Sequence, residues 1–155
     1  MYNKILAPVD GSTLSECSLD HVRAVATGCS VPEVVLLRVI EPLSSYAVSA
    51  LAQAGGNLIE QAENVNKAEA QAYISEMVKK LNKEGIAAKG ETIYGKAADE
   101  ILGYAEKNKV DLIIMSTHGK SGISRWAFGS VADRVVRHSR APVLTVAPAG
   151  CRTSQ

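Results

Sequence analysis

The chain has 155 residues, of which 46% are hydrophobic and 21% are charged. This is the composition of an ordinary globular domain and excludes a disordered or fibrous chain. Its 17 basic and 16 acidic residues nearly cancel, and no basic block stands out, so nucleic acid is not an expected partner. No run reaches the roughly 18 consecutive apolar residues of a membrane-spanning helix, so no membrane partner is expected.

The cysteines bear on the compartment. Cys17, Cys29 and Cys151 are odd in number, widely spaced and free of any C-x-x-C pair, which is typical of reduced thiols. The first residues lack a signal-peptide layout, and we therefore expect a cytoplasmic protein. Cys17 and His21 lie one helical turn apart, but two ligands do not make a zinc site, so no metal-binding residue is predicted.

The first half of the chain alternates strand and helix patterns. An apolar run over residues 5–9 predicts the first strand, and a capping box of Thr13 and Glu16 opens a helix that reaches about Thr27. The run from Val34 to Ile40 predicts a second strand. The Ser- and Ala-rich stretch from Glu41 to Asn57 is interpreted as a mobile loop.

The second half repeats the alternation. Apolar residues at helical spacing predict a long helix over about Leu58–Lys83, followed by a more polar edge strand over Ala87–Tyr94. Another helical stripe precedes a fourth strand at Asp111–Met115. Ser130 and Asp133 are predicted to cap the last helix, and residues 142–146 form a fifth strand.

Strands that alternate with helices indicate an α/β fold. We predict an open, parallel, five-stranded sheet with helices on both faces, Rossmann-like and of the adenine-nucleotide-binding type. Near-continuous apolar strands agree with burial on both faces. The chain shows no internal repeat and no linker composition, so residues 1–147 are predicted to form a single domain and residues 148–155 a flexible tail.

The loop after the fourth strand is the most informative stretch. Glycines at 119, 122 and 129 free the backbone of Cβ atoms, so that main-chain N–H groups can close around an oxyanion. Gly129 and Ser130 then open a helix, whose N-terminus favours phosphate. The alternative is a glycine-rich turn in which Ser130 only caps the last helix.

Several common nucleotide and hydrolase motifs are absent. Gly119-Lys120-Ser121 resembles the end of a P-loop, but the pattern needs a glycine where Ile114 stands. No G-x-G-x-x-G follows the first strand, and no G-x-S-x-G elbow is present. A phosphate contact in this chain therefore needs a different design.

Three segments resemble the universal stress protein family. They are the opening residues 4–12 (KILAPVDGS), the spacing Ser116-x-x-Gly119-(nine residues)-Gly129-Ser130, and the closing residues 141–146 (APVLTV). The nucleotide-binding branch of that family has Gly, two residues, Gly, nine residues, then Gly followed by Ser or Thr. This chain keeps the second and third glycines and the hydroxyl residue, but has Ser116 at the first position.

The resemblance implies a site for an adenine nucleotide, ATP or AMP, with Mg²⁺ as an accompanying ion. Asp10 would hydrogen-bond the nucleoside, Pro8 and Val9 would border it, and Val39 would pack on adenine. The ribose and phosphates would contact the remaining residues of the set, which are Met115, Ser116, Gly119, Gly129, Ser130 and Val131. Taken singly, Asp10 could instead brace the first turn, and Val39 and Met115 could be core residues. We interpret His118 as a loop residue that braces the turn or contacts phosphate, with no catalytic residue assigned.

The function predicted by the resemblance is an ATP- or AMP-binding module of stress response or signalling, with slow or no ATP hydrolysis. The family pattern also predicts a homodimer through the last strand, Pro142 to Val146, because an exposed apolar edge strand needs a cover. Two alternatives stay open. One is a nucleotide-free dimeric protein that binds a partner, favoured by Ser116, and the other is an ATP-using adenylating enzyme of the related fold.

Overall fold

The computed structural model describes residues 1–118 and 129–148. Its five strands form one parallel sheet with the order β3-β2-β1-β4-β5. The strands are β1 Lys4–Pro8, β2 Glu33–Ile40, β3 Ala88–Tyr94, β4 Leu112–Ser116 and β5 Val143–Val146. The predicted five-stranded parallel α/β fold is confirmed, and every predicted strand end lies within one residue of the observed end.

Six helices connect or flank these strands within the described residues. They are α1 Thr13–Glu16, α2 Leu19–Gly28, α3 Ser45–Ala54, α4 Leu58–Lys83, α5 Ala97–Lys107 and α6 Ser130–His138. One hydrophobic cluster joins α2 and α4 to one face of the sheet, and a second joins α5 and α6 to the other face. Helices therefore cover both faces, which explains why β1 and β4 consist almost wholly of buried residues.

The helix predicted from Thr13 to Thr27 is interrupted. Ser12, and not Thr13, is the N-cap of α1, and its hydroxyl accepts a hydrogen bond from Ser15 N at 3.2 Å. The Ser18 hydroxyl donates to Ser15 O at 2.9 Å. In a continuous helix, that carbonyl would accept from the backbone N–H four residues later. Serine hydroxyls that compete for backbone groups in this way favour breaks and caps over helix interiors.

The stretch from Glu41 to Asn57, predicted as a mobile loop, contains the helix α3. The Ser44 hydroxyl caps it by accepting from Ala47 N at 3.2 Å, and Gly55 ends it at a φ of 81°. None of its residues is buried, so the stretch lacks the apolar stripe by which a helix is usually recognised. Its alanines nevertheless favour helix strongly, and the loop prediction was wrong.

The start of α6 also differs from the prediction. Gly129 is the N-cap, and Ser130, which was predicted to cap the helix, is its first helical residue. Gly129 O accepts from Asp133 N at 2.9 Å, which begins the helical ladder. The predicted tail lies outside the described residues apart from Pro148, and its flexibility stays a prediction. No helix within the described ranges is long and apolar enough to cross a membrane.

Candidate functional site

A cleft of about 650 Å³ opens at the carboxyl end of the sheet. It lies where β1 and β4 are neighbours, which is the point at which the order of the strands reverses. Ligands of open α/β sheets bind at such a switch point because the connections leave the sheet in opposite directions there. The walls come from the turn after β1, the end of β2, one side of α4, the end of β4 and the first turn of α6.

The cleft gathers nearly all the site residues predicted from the sequence. Nine of the ten line it: Pro8, Val9, Asp10, Val39, Met115, Ser116, Gly129, Ser130 and Val131. Gly119 lies outside the described residues. The nine come from four separate segments of the chain, so their convergence is a result of the fold and not of proximity in sequence.

Asp10 holds the turn that follows β1. Its Oδ1 accepts hydrogen bonds from the backbone N–H of Ser12, at 2.9 Å, and from the Ser12 hydroxyl. The Asp10 N–H in turn donates to the Ser15 hydroxyl at 3.2 Å. Asp10 therefore braces the first turn, which was one of the two roles considered for it. The same turn places Asp10 in the wall of the cleft.

Gly129 joins the start of α6 to the end of β4. Its N–H donates to Thr117 O at 2.8 Å, and a Cβ built on Gly129 would lie 3.0 Å from that oxygen. The next N–H groups, on residues 130–132, have no partner within the helix, because the first turn of any helix leaves its donors unused. Together with the positive end of the helix dipole, these donors suit an anionic group in the cleft.

Ser116 and His118 form a tight turn at the end of β4. The Ser116 hydroxyl accepts from His118 N at 3.2 Å and from Cys17 Sγ at 3.5 Å. The Thr117 hydroxyl and His118 Nδ1 lie 2.8 Å apart. All three residues of the turn are buried, and these contacts give partners to several of its polar groups.

The α4 wall of the cleft was missed by the sequence analysis. Asn66, Glu69 and Tyr73 line it, and the Tyr73 hydroxyl donates to Glu16 Oε1 at 2.9 Å. Burial, followed by this hydrogen bond, raises the pKa of Tyr73 above its usual range. The available signal was the spacing of the three polar residues, which lies along one side of a helix beside the apolar stripe that begins at Ala70.

The charges around the cleft are mixed. Arg38 is the one Lys or Arg among the described residues of the lining, while Asp10, Glu41 and Glu69 are acidic. Glu41 Oε1 accepts from Ala97 N at 3.3 Å at the start of α5. The described part of the chain contains no group of three or more His, Cys, Asp or Glu side chains placed to hold a metal ion. Among the described residues, the donors in the lining that could face an anion are therefore mainly backbone N–H groups.

Comparison with known proteins agrees with this architecture. The universal stress protein family model matches residues 1–147. The chain belongs to that family. Among curated relatives, universal stress protein MJ0531 of Methanocaldococcus jannaschii is 35% identical, in an alignment that covers 94% of this chain and 82% of the relative's length. MJ0577 of the same organism is 36% identical, with coverages of 94% and 95%.

Solved structures of universal stress proteins share the fold. The structure of MJ0577 superposes with a TM-score of 0.80 at 32% identity and covers 99% of both chains. A universal stress protein in complex with cAMP matches with a TM-score of 0.68 at 21% identity, covering 94% of this chain and 97% of its own. A universal stress protein family protein of Arabidopsis thaliana with AMP bound matches with a TM-score of 0.66 at 17% identity, covering 99% of this chain and 97% of that protein. Because these two proteins are only 21% and 17% identical to this chain, their similarity shows a shared fold alone.

Proposed function

We propose that this universal stress protein binds an adenine nucleotide, ATP or AMP, as a module of stress response or signalling with slow or no ATP hydrolysis. The observation that carries the proposal is the convergence of nine predicted residues on one cleft at the switch point of the sheet. A random set of surface and core residues would not meet in one cavity. Related folds with AMP and cAMP bound support the class of ligand.

The adenine would lie against the apolar part of the cleft. Val39 and Met115 are both nearly buried, and both belong to the hydrophobic cluster on the α5 and α6 side of the sheet. Both also line the cleft, as does Pro8 at the end of β1. A flat aromatic base suits such a wall, because small-molecule sites are mostly apolar with a few polar groups that set the orientation.

The phosphates would lie at the start of α6, on the same side of the sheet. The N–H groups of Ser130 and Val131 are donors of the first helical turn, and Gly129 brings that turn against Thr117. Backbone donors and a helix dipole are sufficient to bind phosphate without a lysine. Asp10, in the turn after β1, would contact the nucleoside.

Mg²⁺ would enter as part of the ATP complex. Three carboxylates lie in the lining, on Asp10, Glu41 and Glu69, and they would repel the bare charge of a triphosphate. Mg²⁺ usually keeps several waters and binds to phosphate oxygens with only one or two carboxylates. The donor set therefore fits a magnesium–nucleotide complex, in which the ion offsets the charge of the phosphates.

Calorimetric titration tests the proposal. The purified protein is titrated with ATP, AMP and cAMP, each with and without Mg²⁺, and phosphate and pyrophosphate release are followed in parallel. We expect saturable binding of ATP or AMP, tighter binding of ATP in the presence of Mg²⁺, and little release. Absence of saturation with every nucleotide at millimolar concentration would overturn the proposal and favour the nucleotide-free partner-binding protein. Rapid release of pyrophosphate would favour the adenylating enzyme.

A further inference from the structure

Ser116 occupies the position at which the nucleotide-binding motif of the family has its first glycine. Within β4, Leu112 and Ile114 belong to the hydrophobic cluster on the α2 and α4 side, and Ile113 and Met115 belong to the cluster on the α5 and α6 side. Because strand side chains alternate, the Ser116 side chain lies on the first of these sides. Its contact with Cys17, at the end of α1, agrees with this direction.

The start of α6, where the phosphates would bind, lies on the opposite side of the sheet. Ala132 and Val135 of this helix pack into the cluster of α5 and not into that of α2. The Ser116 side chain therefore points away from the phosphate subsite and adds no bulk there. A serine at this position does not obstruct a nucleotide as it would if its Cβ faced the ligand.

The Ser116 hydroxyl also makes contacts that a glycine cannot make. It accepts from His118 N at 3.2 Å and from Cys17 Sγ at 3.5 Å. The first contact closes the turn 116–118, and the second ties that turn to the end of α1. A thiol is a weak donor, so the bond from the His118 N–H is the stronger of the two constraints.

The closed turn determines where Gly129 lies. Thr117, in the middle of the turn, donates its N–H to Val146 O at 2.9 Å and accepts from Gly129 N at 2.8 Å. A change in the turn would move Thr117 O, and with it Gly129 and the first N–H groups of α6. The hydroxyl of Ser116 thus acts on the phosphate subsite through two successive hydrogen bonds.

We propose that Ser116 is a positioning residue, whose hydroxyl preorganises the turn that holds Gly129 and the first turn of α6. This inference rests on the proposed function. Its consequence is opposite to what the family motif suggests, because restoring glycine at position 116 weakens nucleotide binding. Loss of one hydrogen bond and of backbone rigidity gives an expected decrease in AMP affinity of about three- to tenfold.

The experiment compares Ser116→Gly and Ser116→Ala with the wild type by calorimetry, with AMP and adenosine as ligands. Both variants should weaken AMP binding while adenosine binding changes less than about twofold, because adenosine has no phosphate for α6 to hold. Ser139→Ala is the matched control. Its hydroxyl donates to Ala141 O at 2.8 Å, away from the cleft, and its loss should leave AMP affinity unchanged.

Amide hydrogen exchange, measured on the same proteins without ligand, tests the turn itself. Ser116→Gly and Ser116→Ala should speed exchange at His118 and Gly129, whereas Ser139→Ala should not. Unchanged exchange at both amides, AMP affinity equal to or above that of the wild type, or equal losses for AMP and adenosine would each overturn the positioning role. Faster exchange together with a wild type that binds neither AMP nor ATP would instead overturn the proposed function.

Discussion

At the scale of single residues, Gly129 and Ser116 show that two motif positions differ in what they require. Gly129 has φ −58° and ψ 150°, a conformation open to any residue, so its backbone does not demand glycine. Space restricts it instead, because a Cβ would lie 3.0 Å from Thr117 O, a tight contact that only a small shift of the turn could relieve. At position 116 the side chain points to the other side of the sheet and contacts Cys17 and the His118 N–H there, so we propose that nucleotide binding does not require glycine at this position.

We predict that Gly129→Val abolishes nucleotide binding and leaves the fold largely intact. The valine would press on Thr117 O and displace the first turn of α6 from the phosphates, with an expected loss of affinity of about a hundredfold or more, so that no saturable binding is measured. Because the φ and ψ of Gly129 suit valine, circular dichroism and the unfolding midpoint should change little. Calorimetry with AMP and ATP gives the affinities.

His118→Ala is the comparison variant for that experiment. It removes the contact of the ring with the Thr117 hydroxyl, but keeps the backbone N–H that donates to Ser116. Most of the affinity should therefore remain. If His118→Ala removed binding and Gly129→Val did not, the assignment of roles at this end of the cleft would be wrong.

At the scale of elements, α4 approaches β3 more closely than a side chain would permit. Gly90 lies in the middle of β3, and a Cβ there would overlap Ile74 Cγ2 of α4 and lie 3.2 Å from Val78 Cγ2. Glycine in a strand often marks such an approach of another element. The docking of α4 on this edge of the sheet carries Tyr73 into the wall of the cleft, so the packing supports the candidate site.

We predict that Gly90→Ala destabilises the protein by about 1–3 kcal/mol, because the added methyl group overpacks the contact. Ile74→Ala alone should cost about 2–5 kcal/mol through the cavity that it leaves. The double variant should be more stable than the sum of the two losses implies, since the methyl group added at position 90 partly fills the space left by Ile74. Urea unfolding of the wild type, the two single variants and the double variant measures the coupling. Strict additivity of the two losses would show that α4 does not constrain position 90.

At the scale of the whole molecule, β5 is an edge strand whose outer side no described residue covers by strand pairing. Pro142 O and Val146 O accept hydrogen bonds from the β4 side of the sheet. Because hydrogen-bonding groups alternate in direction along a strand, the N–H of Thr145 points away from the sheet. Thr117 N donates to Val146 O, so this edge is also connected to the turn at the candidate site.

We predict a homodimer in which β5 pairs antiparallel with β5 of a second copy about a twofold axis. Thr145→Pro removes an outward N–H and is compatible with an edge strand, so it should give a folded monomer. Thr145→Ala keeps that N–H and should remain dimeric. Sedimentation equilibrium at micromolar concentration measures both.

A monomeric wild type in that experiment would refute the dimer directly. A dimeric Thr145→Pro variant would show that association uses another surface. The exposed Leu144 and Val136, each more than one third accessible, would then be the first candidates for substitution.

The sequence by itself determined the layers and the strands. Strands buried between two layers of helices leave near-continuous apolar runs, and a helix with one buried side leaves a regular stripe, so both are readable locally. The bounds of α4 were predicted as observed, and β3 was predicted as an edge strand from its polar residues. The helix α3 has no buried residues, so its sequence carries no regular apolar stripe, and the loop predicted there was wrong.

The tertiary structure alone decided the details of the candidate site. Cys17 and Ser116 are 99 residues apart, and Tyr73 and Glu16 are 57 apart, so no local pattern records these contacts. Motif spacing named the glycine and serine positions but not the direction of the Ser116 side chain or the oxygen that Gly129 faces. Those depend on how the crossover helices pack on the sheet, because the packing sets which backbone groups meet at the ends of the strands.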